Sequence, residues 1–324
     1  MMPEVLVEIR DLVINFHTYR GVVRAINGVN LTIRKGEFFG LVGETGCGKS
    51  VTGSAILSLV QNPGRIEKGE IFFKGKDILN MSEDEIRERI RGKEITMIMQ
   101  HPIAALNPVI KNGDQIAEAL SKKMGEGEAK KRAIELLREV NIPEPEKIAN
   151  QYPHQLSGGM AQRVMIAMML STEPSLLIAD EPTTALDVSI QAQVLRLLEE
   201  LIKRQKASVL LITHDLSIVA ETCDRVGVMY AGDMVEIGEL DQIINNPKHP
   251  YTIGLMKAIP SDHGKELVGI RGSVPDLVNP PSGCRFHPRC DYARAICKEE
   301  KPESVQVENN HIVACVLYEG RESG

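Results

Sequence analysis

One glycine-rich octapeptide has the residue types that bind a polyphosphate. Residues 43–50 are Gly-Glu-Thr-Gly-Cys-Gly-Lys-Ser, between the apolar run Phe38–Val42 and the apolar stretch 51–60. Glycines let consecutive backbone N–H groups face an anion, the Lys49 amine can reach β- and γ-phosphate oxygens, and the Ser50 hydroxyl can ligate Mg²⁺. A helix start adds a favourable dipole. The predicted nucleotide site comprises Gly43, Glu44, Thr45, Gly46, Cys47, Gly48, Lys49, Ser50 and Val51.

Polar residues also follow two later apolar runs. Asp180 and Glu181 come directly after residues 175–179, and His214 lies just beyond Ser208–Ile212. Open α/β sheets bind ligands at the carboxyl ends of their strands. We therefore predict that Asp180 acts at Mg²⁺, either as a direct ligand or through a group that itself binds the ion. Glu181 is suited to orient or deprotonate an attacking water molecule. His214 could contact the γ-phosphate.

A second candidate anion site precedes another helical stretch. Leu-Ser-Gly-Gly (156–159), followed by Gln162 and Arg163, leads into the apolar residues 164–170. Serine and glycine before a helix leave N–H groups available to an anion. Two such sites lie more than a hundred residues apart in one chain. They predict a dimer in which the second site of one copy closes on the nucleotide of the other.

Hydrophobic patterning predicts the elements that position these residues. Residues 4–35 alternate in places, and 69–73 form another strand candidate. Residues 115–120 and 130–140 have helical spacing, and glycines at 125 and 127 interrupt them. Strands and helices mixed in this way predict an α/β fold.

The motifs and their order resemble those of ATP-binding cassette (ABC) transporter ATPases. Residues 156–159 are similar to the signature motif, Gln100 in Met-Ile-Met-Gln-His-Pro to the Q-loop, Ala-Leu-Asp (185–187) to the D-loop, and His214 to the switch histidine. The resemblance covers about residues 4–240. It implies ATP and Mg²⁺ as cofactors, with Ser50, Gln100 and Asp180 at Mg²⁺ and Glu181, His214 and Gln100 as catalytic residues. It also implies an ATPase in which Ser157, Gly158, Gly159 and Gln162 act in trans, with Asp187 in the D-loop.

The resemblance also implies an architecture for residues 1–240, an ABC-type P-loop NTPase core. An N-terminal antiparallel β subdomain and a helical subdomain at about residues 101–165 belong to it. Tyr19 is the candidate aromatic beneath the adenine. A groove for a coupling helix of a membrane subunit is expected to be walled by His101, Pro102, Ala104, Leu106, Asn107 and Pro108, although a simple linker between lobes explains them equally well.

The last 84 residues differ in composition, because they hold eight of the 17 prolines. We expect residues 241–324 to form a loop-rich C-terminal extension. Pro-Lys-His-Pro-Tyr-Thr (247–252) and Pro-Pro-Ser-Gly-Cys (280–284) resemble the extension of the oligopeptide, dipeptide and nickel importer ATPases. The resemblance therefore narrows the family to that subclass.

Four of the six cysteines lie in this extension, at Cys284, Cys290, Cys297 and Cys315. A loop-rich segment with little apolar content needs a cross-link, and in a reducing compartment a metal is favoured over disulfides. The spacing lacks the short pairs of zinc sites, which favours a [4Fe–4S] cluster. Zinc, with His287 or His311 as substitute ligands, and unligated thiols remain alternatives.

Cys47 lies inside the phosphate loop, and we expect its role to differ from that of the four cysteines in the extension. The N–H groups of the loop and the amine of Lys49 lower the pKa of a nearby thiol. This placement predicts a reactive thiol, although a small filler side chain is the simpler interpretation.

Composition limits the class of function. The 324 residues include 38 Lys+Arg and 44 Asp+Glu, with 4% aromatic residues and no Trp. An acidic chain poor in aromatics argues against nucleic acid as a partner. No apolar run reaches the ~18–20 residues of a membrane span, and residues 1–10 lack the pattern of a signal peptide. We therefore expect a cytoplasmic protein, peripheral on the inner face of the cell membrane.

The resulting functional hypothesis is ATP hydrolysis that energises import of di- or oligopeptides, as the nucleotide-binding subunit of an ABC importer. Expected partners are transmembrane permease subunits, a second and related ATPase subunit or another copy of this chain, and indirectly an extracytoplasmic solute-binding protein. Nickel or other small solutes are alternative cargoes. Rival hypotheses are a soluble ABC ATPase acting on nucleic acid or ribosomes, and a metal-binding module that binds ATP without hydrolysing it.

Overall fold

A computed structural model describes residues 4–121, 123–184, 187–258 and 269–320. The described part divides into two compact units. One contains the residues up to 81 and those from 211 onward, and the other contains residues 82–210. The second unit is therefore an insertion in the chain of the first.

Strands and helices are mixed along the chain. Within the described residues the strands are β1 (Val5–Thr18), β2 (Gly21–Arg34), β3 (Phe38–Val42), β4 (Gly64–Phe73), β5 (Lys76–Asp77), β6 (Ile95–Ile98), β7 (Leu176–Asp180), β8 (Ser208–Ile212), β9 (Arg225–Tyr230), β10 (Asp233–Glu239), β11 (Ser304–Glu308) and β12 (His311–Ala314).

The α-helices vary in length from three to 18 residues. In the same residues they are α1 (Lys49–Ile56), α2 (Glu83–Glu85), α3 (Pro102–Ala105), α4 (Asn112–Leu120), α5 (Glu126–Glu139), α6 (Pro145–Ala149), α7 (Gly158–Leu170), α8 (Val188–Gln205), α9 (Leu216–Thr222), α10 (Leu240–Asn245), α11 (Pro250–Lys257) and α12 (Ile296–Glu299). Short π- and 3₁₀-helical turns cover Ile86–Ile90, Pro153–Gln155 and His287–Arg289.

The first unit contains an antiparallel sheet with the strand order β2-β1-β4-β5. Apolar side chains at alternate positions of β1 and β2, among them Leu12 and Ile14 in β1 and Leu31 and Ile33 in β2, are buried. This alternation is the one that predicted strands in residues 4–35, because side chains two apart lie on the same face of a strand.

A second sheet of the first unit carries the glycine-rich loop. Strand β3 pairs in parallel with β9, which pairs antiparallel with β10. All residues of β3 and β9 are buried, as expected of mainly apolar strands that are covered on both faces, and Arg225 at the start of β9 is charged. Beyond β3, the N–H of Thr213 at the end of β8 donates to the carbonyl of Leu41.

The C-terminal extension continues that sheet instead of forming loops alone. Strand β12 pairs antiparallel with β10, and β11 pairs with β12. The sequence prediction of a loop-rich extension missed these two short strands, because Pro302 and the turn 309–310 leave runs of only four and five residues. Within the described residues, no helix is long and apolar enough to cross a membrane.

The second unit places two strands among helices. Strands β6 and β7 pair in parallel, and the helices α4, α5, α6 and α7 pack on one another. Helix α7 is buried along Val164, Met165, Ile166 and Ala167. The helices predicted at 115–120 and 130–140 are confirmed, and each begins three or four residues earlier than its apolar pattern.

A buried ion pair in the first unit offers a test of the fold. Arg225 Nη1 donates to Glu37 Oε1 at 3.0 Å, and both side chains are about 5% exposed. Replacing Arg225 by Ala leaves a buried carboxylate without its counter-charge, so we expect a loss of about 3–5 kcal/mol in the free energy of unfolding. Urea denaturation followed by circular dichroism measures it.

Lys130→Ala is the control, because Lys130 pairs with Glu126 on the surface of α5. We expect the free energy of unfolding of this variant to be unchanged. An equal effect of the two substitutions would contradict the importance of the buried pair.

Candidate functional site

The glycine-rich loop connects β3 to α1 through residues held in backbone conformations that favour glycine. Gly43 has φ +148° and Gly48 has φ +106°. A Cβ at Gly43 would lie 2.1 Å from the carbonyl oxygen of Met229 on β9, so no larger residue fits. The loop is therefore pressed against the sheet, and its tip at Thr45 and Gly46 is exposed.

The Lys49 side chain points back along this loop. Its Nζ donates to the carbonyl of Gly43 at 2.8 Å and to that of Glu44 at 3.3 Å, and the side chain is buried. Ser50 is exposed in the first turn of α1. These positions are consistent with the predicted contacts to phosphate and Mg²⁺, which stay predictions.

Cys47 does not have the properties predicted from its neighbours. Its side chain is fully buried, and burial raises the pKa of the thiol, outweighing the opposing effect of the Lys49 charge. Lys49 Nζ lies 3.7 Å from the sulfur. The prediction of a reactive thiol was therefore wrong, and Cys47 is a small side chain that fills space under the loop.

Two other predicted residues of the first unit are exposed. Tyr19 lies in the turn between β1 and β2, is 92% exposed, and has the guanidinium of Arg20 5.4 Å from its ring centroid. His214 follows β8 and is exposed. An exposed ring is available for stacking on a base, and the role of Tyr19 stays a prediction.

The second unit holds the predicted catalytic carboxylate at the end of β7. Asp180 is its last residue and is buried, and Glu181 follows at φ +45°. Glu181 Oε2 accepts hydrogen bonds from Gln100 Nε2 and Thr184 Oγ1, each at 2.8 Å. A non-glycine residue at positive φ is strained, and such strain concentrates at functional sites.

Sequence analysis predicted that Gln100 and Glu181 belong to one site, and the structure places them in contact. Thr184 was missed, although its position three residues after Glu181 is a usual distance for a hydroxyl that caps a turn.

The signature residues begin α7. The Ser157 hydroxyl accepts the Met160 N–H, and Ser157, Gly158, Gly159 and Asp187 line an open cavity of about 840 Å³. The predicted Gln162 is buried and does not line the cavity, whereas Arg163 does. Ala185 and Leu186 of the D-loop lie outside the described residues.

The predicted groove wall around α3 is partly exposed. His101, Ala104, Asn107 and Pro108 are exposed, and Pro102 and Leu106 are buried. Exposed apolar side chains at Met99, Ile103 and Val109 lie in the same segment. A contact of this segment with another protein stays a prediction.

Four cysteines of the extension line one small cavity, together with Phe286 and Leu317. All are free thiols: Cys284, Cys290, Cys297 and Cys315. The Cys297 sulfur accepts the Arg294 N–H at 3.3 Å. The backbone N–H groups of Phe286, Tyr292 and Leu317 act to lower the pKa of Cys284, Cys290 and Cys315, respectively, but burial has the larger effect.

Burial raises the pKa of the Cys284 thiol to about 12 and that of Cys315 to about 11, and it also raises the pKa of Cys290. Within the described residues, no three His, Cys, Asp or Glu side chains are placed to hold one metal ion. A metal centre in the extension is therefore not confirmed. The cavity and the N–H donors are the observations that bear on it.

Two residues of the extension contact the phosphate loop and were missed. The Glu44 N–H donates to the Tyr251 hydroxyl at 2.9 Å, and Arg289 donates to both carboxylate oxygens of Glu44. The motif 247–252 contains Tyr251, but no pattern in the sequence indicates which distant backbone group a tyrosine hydroxyl reaches.

Comparison with known protein families yields two matches. The family model described as ABC transporter matches residues 26–184. The model described as the C-terminal region of oligopeptide/dipeptide transporters matches residues 235–297.

Several curated proteins are similar over nearly the full chain. The oligopeptide transport ATP-binding protein OppD of Bacillus subtilis is 52% identical, over 95% of this chain and 87% of the relative. The dipeptide transport ATP-binding protein DppD of the same species is 47% identical, over 98% and 96%. DppD of Lactococcus lactis is 45% identical, over 99% and 93%.

Solved structures support the fold. The dimeric ATP-binding cassette MJ0796, in a post-hydrolysis state bound to ADP and Pi, has a TM-score of 0.65 at 28% identity, over 72% of this chain and 99% of the other. The cbiO1 protein of Clostridium perfringens, part of the transporter complex cbiONQ, has a TM-score of 0.64 at 29% identity, over 75% and 92%.

The burial of Cys47 yields a prediction. Because its raised pKa lowers the thiolate fraction near neutral pH and the sulfur is inaccessible, iodoacetamide should label Cys47 more slowly in the folded than in the urea-unfolded protein. Labelling should accelerate as the pH rises toward the thiol pKa. Mass spectrometry of the peptide containing Cys47 measures both effects, and equal rates in the folded and unfolded protein at pH 7.5 would contradict burial.

Proposed function

The chain belongs to the family of oligopeptide and dipeptide ABC transporter ATP-binding proteins, and on that premise we propose that it hydrolyses ATP to energise peptide import. The observation that carries the proposal is the similarity over nearly the whole chain, which includes the C-terminal region specific to peptide transporters. The chain is an ATPase of the ABC class.

The phosphate loop binds the triphosphate. Its N–H groups and the start of α1 attract the anion, and Lys49 adds a positive charge within reach of the terminal phosphates. Ser50, Gln100 and Asp180 offer hydroxyl, amide and carboxylate oxygens, the hard donors that Mg²⁺ prefers. Bound there, Mg²⁺ supplies charge neutralisation at the terminal phosphates.

Glu181 supplies the general base for hydrolysis. Its carboxylate accepts or orients a proton of the attacking water, while Gln100 and Thr184 fix the direction of the carboxylate through the two 2.8 Å hydrogen bonds. His214 is the proposed contact to the γ-phosphate.

A second cassette completes the site. The signature residues line an open cavity, as expected of a surface that waits for the nucleotide of another subunit. We assign Ser157, Gly158 and Gly159 to that contact in trans, and Asp187 to the same surface. The second cassette is a copy of this chain or a related ATPase subunit, and two bound ATP molecules favour the closed dimer.

Membership of the family supports the remaining proposed partners. Permease subunits in the membrane receive the motion, through the exposed segment around α3. A solute-binding protein outside the membrane delivers the cargo, with no direct contact to this chain. The protein then works at the cytoplasmic face of the membrane. Di- and oligopeptides are the proposed cargo over nickel, and the acidic composition disfavours a nucleic-acid substrate.

The four cysteines of the extension are proposed to hold a [4Fe–4S] cluster. They line one cavity, yet within the described residues no three metal-binding side chains close on a single point. A zinc ion needs sulfurs at about 2.3 Å, whereas a cluster presents its ligand directions around a larger body. The Arg294 N–H that donates to the Cys297 sulfur would stabilise a bound thiolate. The bound cluster supplies a cross-link for this part of the chain.

Glu181→Gln tests the assignment of the base. Without a carboxylate, ATP turnover should fall by about 10² or more, while ATP binding persists and closed dimers accumulate. Phosphate release and size-exclusion chromatography with ATP measure these effects. Glu173→Gln, which changes an exposed glutamate in the turn before β7, should retain normal turnover.

Unchanged turnover in the Glu181→Gln variant would remove Glu181 from the catalytic role. Stimulation of wild-type turnover by DNA or RNA, in place of co-purification with hydrophobic membrane subunits, would contradict the transporter assignment.

Purification without oxygen tests the cluster. The protein should be brown, with a broad visible absorbance and about four iron atoms per chain. Cys290→Ser should lose the colour, and Cys223→Ser, at a buried cysteine outside the extension, should keep it. A colourless protein that contains zinc would replace the cluster by a zinc site, and a protein free of both metals would refute a metal centre.

A further inference from the structure

Two side chains of the C-terminal extension hold the phosphate loop at Glu44. The Tyr251 hydroxyl accepts the Glu44 N–H at 2.9 Å, and Arg289 donates from Nη1 and Nη2 to the carboxylate of Glu44 at 2.6 and 3.1 Å. We propose that Tyr251 and Arg289 are positioning residues for ATP binding, acting through Glu44 on Lys49. The inference rests on the proposed ATPase function.

Backbone carbonyls at the start of the loop hold the Lys49 ammonium. Two of the groups that accept hydrogen bonds from Lys49 Nζ are the carbonyls of Gly43 and Glu44, at 2.8 and 3.3 Å. The first of these carbonyls belongs to the same peptide unit as the N–H that donates to Tyr251. A rotation of that peptide would therefore have two effects at once. It would break the contact of the Glu44 N–H with Tyr251, and it would move the carbonyl that holds the Lys49 amine.

Arg289 also changes the charge next to the phosphates. A carboxylate at the second position of the loop repels an incoming triphosphate, and Glu44 is only 29% exposed, so water screens it incompletely. The Arg289 side chain is 6% exposed, and its hydrogen bonds to Glu44 raise the pKa of the guanidinium further, so its positive charge is permanent. The bidentate ion pair with Arg289 neutralises the negative charge of Glu44, while the Glu44 side chain stays in the loop.

Tyr251 is fixed by a buried scaffold. Its ring packs against Tyr230 and Phe286, with centroids 4.7 and 5.4 Å away. Its N–H donates to His249 Nδ1 at 3.0 Å, and the His249 N–H donates to Glu236 Oε2 at 2.9 Å. Burial lowers the pKa of His249 to about 4, so near neutral pH its ring is neutral and Nδ1 can accept.

Arg289 is anchored by the neighbouring backbone. Its Nε donates to the Arg271 carbonyl at 2.7 Å, and its guanidinium lies 5.7 Å from the centroid of the Tyr230 ring. The side chains of Tyr251 and Arg289 are therefore ordered before ATP binds, so that binding does not lose conformational entropy by ordering them.

A contact that served stability alone has different consequences from a positioning contact. Loss of a structural contact lowers the free energy of unfolding and leaves the affinity of the folded protein for ATP unchanged. Loss of the charge partner of Glu44 weakens ATP binding, and removal of the Glu44 charge in the same protein restores it. The double variant therefore separates the two roles.

The experiment measures the Kd for MgATP by isothermal titration calorimetry, in a Glu181→Gln background that prevents turnover. Arg289→Gln should raise the Kd about tenfold, because it leaves a partly buried carboxylate unpaired beside the phosphates. Glu44→Gln combined with Arg289→Gln should return the Kd to within about threefold of the parent. Tyr251→Phe, which removes one hydrogen bond and keeps the ring, should raise the Kd about threefold or more.

The controls are substitutions of the same type elsewhere in the extension. Tyr318→Phe removes the hydroxyl that donates to the Lys248 carbonyl, and Arg294→Gln changes an exposed side chain. Both should leave the Kd unchanged. Circular dichroism of every variant reports whether it is folded.

Each outcome decides between the proposals. A parent protein that does not bind ATP refutes the proposed function. A parent that binds ATP while Arg289→Gln binds equally well overturns the inference, and so does a double variant as weak as Arg289→Gln. If Arg289→Gln does not fold, Tyr251→Phe decides, because an unchanged Kd in that variant also overturns the inference.

Discussion

The close approach of the glycine-rich loop to strand β9 is the constraint on which the nucleotide site depends. At Gly43 the Met229 carbonyl leaves no room for a Cβ, and the positive φ values there and at Gly48 turn the chain back on itself. A loop of this shape exposes N–H groups only if the strand beside it is rigid. The fully buried strands β3 and β9 provide that rigidity, and the buried pair of Glu37 and Arg225 joins the beginnings of both.

A second buried carboxylate, that of Glu236 on β10, is held by hydrogen bonds from the C-terminal extension. Glu236 is fully buried and accepts from His311 Nε2, the Lys248 N–H and the His249 N–H. These contacts join strands β10 and β12 to the start of α11. Because an unpaired carboxylate there would be costly, the turn before α11 has little freedom. The extension is therefore an ordered part of the first unit where it meets the loop.

Much of the site could be predicted from the sequence, because its chemistry is carried by short local motifs. The loop 43–50 and the residues after β7 and β8 need only a strand and a turn to be positioned, and apolar runs identify strands. What could not be predicted depends on long-range packing. The burial of Cys47 results from the sheet beneath it, and the contact of Arg289 with Glu44 joins residues 245 positions apart. The strands β11 and β12 were missed because four or five residues carry too weak a pattern.

The insertion of one unit into the chain of the other has a consequence for synthesis. The first unit cannot complete its sheet until residue 211 and those beyond it have left the ribosome, because β9 and β10 lie beside β3 only then. At about 5–20 residues per second, the intervening stretch of about 130 residues takes on the order of ten seconds to make. During that interval the apolar faces of β1, β2 and β3 have no permanent cover, so the nascent chain depends on chaperones or on early folding of the inserted unit.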